Sequence, residues 1–71
     1  MKYKKELLFT VNADQLNLRK GAGTDFGTNG DKLKKGTVLT PTGKVKKGWA
    51  QVITSDMRIG WVSAKYIKPK Y

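Results

Sequence analysis

The chain has 71 residues, 15 Lys plus Arg against five Asp plus Glu, a net charge of +10, and neither His nor Cys. A domain of this size buries only about 60% of the surface its unfolded chain exposes, so it has a thin core and no room for a deep cleft. Without imidazole or thiol there is no Ser-His triad, no cysteine nucleophile, no thiolate or imidazole zinc site and no disulfide, and Glu6, Asp14, Asp25, Asp31 and Asp56 stand singly rather than as an acid–base pair.

From the N-terminus, Met1-Lys2-Tyr3-Lys4-Lys5 starts like a secretory signal. The apolar stretch that follows ends after Leu7-Leu8-Phe9, short of the ~7–15 residues a signal core needs. No run approaches the ~20 residues of a membrane span. Residues 1–6 therefore read as a basic extension of a single domain over 1–71, with the folded part over 7–68.

The first strand is expected at Leu7-Phe9-Val11. In Leu16-Asn17-Leu18-Arg19 a period of two turns both leucines to one face and Asn17 and Arg19 to the other. From Arg19 to Gly30 no strand pattern exists. A loop that long in so small a domain is either functional or stapled by its own side chains. Thr37 to Thr40 is the next strand. Lys46-Lys47-Gly48 then turns into Trp49 to Ile53, where Ala50 and Val52 oppose Trp49, Gln51 and Ile53. Ser55-Asp56-Met57 is a second turn, leading to a strand over Ile59 to Val62. Ser63 to Tyr66 forms one helical or 3-10 turn before a last short strand. Eight glycines together with Pro41 and Pro69 leave helices of ordinary length nowhere to sit. The pattern is all-β, a small sandwich or barrel.

Three phrases in order carry a resemblance: Leu16-Asn17-Leu18-Arg19-Lys20-Gly21-Ala22-Gly23-Thr24, then Leu33-Lys34-Lys35-Gly36-Thr37, then Gly48-Trp49 followed by Gly60-Trp61-Val62-Ser63-Ala64-Lys65-Tyr66-Ile67. The chain resembles the bacterial SH3 domains, often called SH3b, from about Phe9 to Ile67. The resemblance implies an SH3-like barrel of five to seven short antiparallel strands. In most relatives that barrel is attached to peptidoglycan hydrolases or other envelope proteins and binds cell wall. One departure is the stretch after Phe26, where Gly27-Thr28-Asn29-Gly30-Asp31-Lys32 is polar instead of apolar.

Gly21 and Gly23 are expected to let the long loop turn, and Gly36 to start a strand through a tight turn. Gly48 and Gly60 each precede a tryptophan, whose ring can then lie across the neighbouring backbone. These five glycines and Trp61 form the expected structural set.

The expected ligand-binding set is Asn17, Arg19, Phe26, Trp49 and Tyr66. Aromatics beside a barrel groove stack on sugar rings or cover peptide stems, but a barrel with few large side chains also needs them for its core. On that balance Trp61 is assigned to the core, Trp49 is divided between core and ligand face, and Phe26, in a loop, is exposed. Tyr66 can keep its ring on the barrel and its hydroxyl in water. Arg19 either grips a stem-peptide carboxylate, with Asn17 presenting an amide, or ties down loop carbonyls. Asp25 and Asp31 read as turn caps, with no metal or cofactor expected.

Thirteen of the cations are Lys, in clusters along the whole chain, which favours an anionic partner without marking one groove. The resulting expectation is a non-catalytic module for peptidoglycan or an associated anionic wall polymer. A basic nucleic-acid-binding protein and a protein-interaction module of a phage or envelope assembly stand as alternatives. The expected location is the envelope or exterior if the chain is part of a longer exported or lytic protein, and the cytoplasm if it is the native product.

Overall fold

β-branched and aromatic residues between glycines set the strands, and a computed structural model describes residues 8–70 of the chain. Seven strands follow one another: β1 (Leu8–Val11), β2 (Gln15–Leu16), β3 (Leu33–Lys34), β4 (Val38–Lys46), β5 (Trp49–Thr54), β6 (Ile59–Ser63) and β7 (Ile67–Lys70), with one 3-10 turn at Ala64–Tyr66 before β7. The fold is all-β, as an SH3-like barrel requires. The basic extension expected over 1–6 lies outside the described residues, and β7 runs two residues beyond the expected boundary at 68.

Five strands form one antiparallel sheet in the order β6-β5-β4-β1-β7, and β2 pairs with β3 in a second. Arg19 is one of the residues that tie the segment after β2 to the larger sheet. The Arg19 N–H donates to the Trp61 carbonyl at 2.8 Å and the Trp61 N–H donates to the Arg19 carbonyl at 2.7 Å, which sets Arg19 against the free edge of β6. The expected strand over Leu16 to Leu18 is consequently shorter than its pattern. Its ladder ends at Leu16 because the Leu18 carbonyl accepts from the Asn29 N–H and Arg19 turns to β6.

The core is aliphatic. Val11, Leu16, Leu18, Leu33, Leu39, Val52 and Val62 are buried, with Phe9 and Ile67 packed against them. Neither tryptophan is among them, which corrects the assignment of Trp61 to the core. Gly60 and Val62 are the buried residues of β6, so alternation turns Trp61 to the outer face, half-buried, where it pairs with Gln51. The structural contribution of Trp61 is its backbone, through the two bonds to Arg19.

Gly60 is structural for a packing reason. A Cβ there would lie 2.7 Å from Leu18 Cγ and 2.8 Å from the Arg19 carbonyl oxygen. Gly21 and Gly23 lie in the turning loop, where the Gly23 N–H donates to the Gly21 carbonyl and the Phe26 N–H to the Gly23 carbonyl; neither has a positive φ, and both lie under the Phe26 ring, which a Cβ on Gly21 would overlap. Gly36 and Gly48 do occupy the left-handed region, at φ 89° and 84°.

Candidate functional site

An open groove of about 460 Å³ runs between the end of β6, the start of β5 and the segment after β2. Asn17, Arg19, Trp49 and Tyr66, four of the five expected ligand residues, line it together, joined by Lys65 and Gln15. Each arrives by a simple rule. Leu16 and Leu18 are drawn into the core, so the intervening Asn17 and the following Arg19 face outward. Trp49 opens β5 on the outer face and pairs with Ser63. The 3-10 turn carries Lys65 and Tyr66 to the rim, anchored by an Ala64 N–H bond to the Gly48 carbonyl and by an Asn12 N–H bond to the Tyr66 carbonyl, at 2.8 and 2.7 Å.

The groove offers flat apolar surface, amide groups and cations, and among the described residues no acidic side chain lines it. Trp49 is half-buried and Tyr66 is 45% exposed, so both rings have a supported side and an open one. Arg19 ties down a loop carbonyl, one of the two roles weighed for it. Its Nη1 donates to the Phe26 carbonyl at 2.8 Å, stapling the long loop, while the side chain also faces the groove.

Phe26 does not join this group. It is exposed, as expected, but its ring lies on Gly21 and Gly23 and does not line the groove. The polar stretch after it is tied down rather than loose. Asn29 Nδ2 donates to the Ile59 carbonyl at 2.8 Å, and Arg58 Nη1 donates to the carbonyls of Asn29 and Asp31 at 2.9 and 3.1 Å.

That second centre, at the β5–β6 turn, has no signal in the sequence beyond the turn itself. Thr54 is buried at 4% exposure, and its hydroxyl donates to the Asp56 carboxylate and accepts from the Arg58 N–H. Arg58 Nε reaches both Asp56 oxygens, at 3.1 and 3.2 Å. These bonds, Thr54 first and Arg58 next, hold the Asp56 carboxyl below its ordinary value. Asp25 and Asp31 make no side-chain cap among the hydrogen bonds of the described residues. The cation and the carboxylate of this centre satisfy each other and the loop carbonyls, which is a structural arrangement and not an open site.

Residues 14–68 match the family described as bacterial SH3 domain. The chain is also 34% identical over 61 residues to a probable endopeptidase p60 of Listeria innocua serovar 6a. That match covers 86% of this chain and 13% of the relative, so the chain spans a small part of that protein. No solved structure is significantly similar.

Proposed function

The chain belongs to the bacterial SH3 domain family, typically a cell-wall-binding module, and on that premise we propose that it is a non-catalytic module that binds peptidoglycan through the Asn17–Arg19–Trp49–Tyr66 groove. The convergence of these four residues in one groove, with no acid among its described lining residues, carries the reading. A wall peptide is rich in amides and ends in carboxylates. Asn17 matches an amide with its own donor and acceptor, and the Arg19 guanidinium has donors left for a carboxylate after its single bond to Phe26. Trp49 and Tyr66 supply flat surfaces for aliphatic stems or sugar faces. Such a module serves in the cell envelope, bringing an associated activity to its polymer.

Co-sedimentation of the chain with purified peptidoglycan stripped of phosphate polymers tests this. The chain is expected in the pellet, and Trp49→Ala or Tyr66→Ala should cut retention about tenfold, the loss of roughly 1.4 kcal/mol of contact. Phe26→Ala should leave retention nearly unchanged because its ring lies outside the groove. Wild-type protein that stays in the supernatant overturns the reading.

A further inference from the structure

Beyond Pro41 on β4 and Val52 on β5 the sheet leaves the core and continues as a hairpin. Every residue from Thr42 to Gly48 is exposed, Val45 to 72%. Lys44, Lys46 and Lys47 lie here, and no acid occurs between Val38 and Thr54. Among the described residues the one ion pair is Arg58 with Asp56, so none of these lysines is neutralised within them.

The tip sharpens the picture. Lys46 pairs with Trp49, and between them Lys47 and Gly48 have φ of 46° and 84°. A two-residue hairpin turn with both centres left-handed favours Asn-Gly. A lysine at the first centre is a disfavoured backbone choice, and its exposed side chain gains no packing in return. The register also ties the hairpin to the groove, because Lys46 faces Trp49, which lines the groove with Arg19 and Lys65.

We infer that this hairpin is a docking finger for a linear polyol-phosphate chain, a phosphodiester polyanion without bases. Lysines are hydrated point charges on flexible stems, suited to a chain of repeating phosphates with no fixed stereochemistry. Nucleic acid is disfavoured because single strands need stacking surfaces spaced along the cationic track, and the aromatic beside the finger, Trp49, stands only at its end opposite Lys46, with none from Thr42 to Gly48. A lipid surface is disfavoured because Val45 is the lone large apolar side chain on the finger, too little to insert. The finger acts beside the groove and does not depend on peptide binding there.

The test measures binding of the full chain to purified poly(glycerol phosphate) over a series of salt concentrations. It compares wild type with Lys44→Ala/Lys46→Ala/Lys47→Ala and with the charge-matched Lys32→Ala/Lys34→Ala/Lys35→Ala. The finger variant should lose at least about tenfold in affinity, and its slope of log affinity against log salt should fall by about 2, three phosphate contacts at roughly 0.7 each. The matched variant should lose less than about threefold. Equal losses in both variants, or none in the finger variant, overturn the proposal, since diffuse charge would then account for binding. Tighter wild-type binding to an oligothymidylate of equal charge overturns it in favour of nucleic acid. Lys47→Asn, which suits the turn, should keep the melting temperature and still weaken binding about twofold; unchanged affinity removes Lys47 from the contact and overturns the tip assignment. Retention of the triple finger variant on phosphate-free peptidoglycan should equal wild type, which separates this proposal from the groove reading.

Discussion

The two arginines of this chain sit at opposite kinds of centre. Arg58 donates to a carboxylate through Nε and to two loop carbonyls through Nη1, and its side chain is only 26% exposed. Arg19 makes a single side-chain bond, to the Phe26 carbonyl, and otherwise faces an open groove beside two aromatics. The difference is the number of internal partners. A guanidinium has five donors in a rigid fork. Where the fold consumes most of them the residue is a clamp, and where it leaves most of them beside a concave, acid-free surface the residue is available to a ligand.

The largest effect that can break this comparison is at Gly60, which seats the Arg19 segment against β6. Gly60→Ala would push on Leu18 Cγ and on the Arg19 carbonyl, and backbone cannot swing aside as a side chain can. A loss of about 2–3 kcal/mol is expected, read as a fall of roughly 10–20 °C in melting temperature, with the groove disordered before the Arg58 centre. Unchanged melting would mean that the Arg19–Trp61 junction is slack.

Next in size is the exchange between the arginines themselves. Arg58→Ala leaves the Asn29 and Asp31 carbonyls to water and should cost about 1–2 kcal/mol in urea denaturation while wall retention holds. Arg19→Ala removes one loop bond, should cost less than about 1 kcal/mol, and should lose most of the retention. The reverse outcome would exchange the two roles.

A smaller effect, of opposite sign, is expected at Met57. It stands in the β5–β6 turn at φ 68°, a left-handed position that glycine fills without the steric cost of a Cβ, and its side chain is 80% exposed. Met57→Gly should therefore raise stability by about 0.5–1 kcal/mol in the same denaturation series.

The smallest effect is a pH dependence confined to the Arg58 centre. Hydrogen bonds from Thr54 and Arg58 depress the Asp56 carboxyl, so its contribution is complete above the unfolded carboxylate value and drains away as pH falls through the lowered folded value. The difference in melting temperature between wild type and Asp56→Asn should shrink across that acid window. A constant difference would show that the Thr54 and Arg58 bonds do not favour the charged form.

Much of the fold is legible along the chain because strand periodicity and turn chemistry are local. Leu16 and Leu18 alternate with Asn17 and Arg19, and the turns at Lys46-Lys47-Gly48 and Ser55-Asp56-Met57 lie where glycine, lysine and aspartate interrupt β-branched runs. The same alternation placed Asn17 and Arg19 on the groove side. It erred with Trp61, where bulk suggested a core residue, because the inward place in β6 belongs to Gly60, whose value is the space it leaves for Leu18. Thr54 was missed for the converse reason. A hydroxyl is buried there because Asp56 and the Arg58 N–H satisfy it, a fact invisible until the turn closes.

By itself, then, the sequence determined an all-β chain of short strands, a basic surface, the absence of thiol and imidazole chemistry, and the outward phase of Asn17 and Arg19. These follow from composition and from a period of two, which need no knowledge of distant neighbours; for Trp49 the period set only its opposition to Ala50 and Val52, and the fold decided that it faces outward. Only the tertiary structure decided which outward residues meet. Arg19 reaches β6 across some forty positions through two backbone bonds and so faces Trp49 and Tyr66, whereas Phe26, far nearer in sequence, is drawn onto Gly21 and away from them. Proximity in a folded sheet is set by pairing and packing between remote segments, and such pairing leaves no periodic mark on the chain.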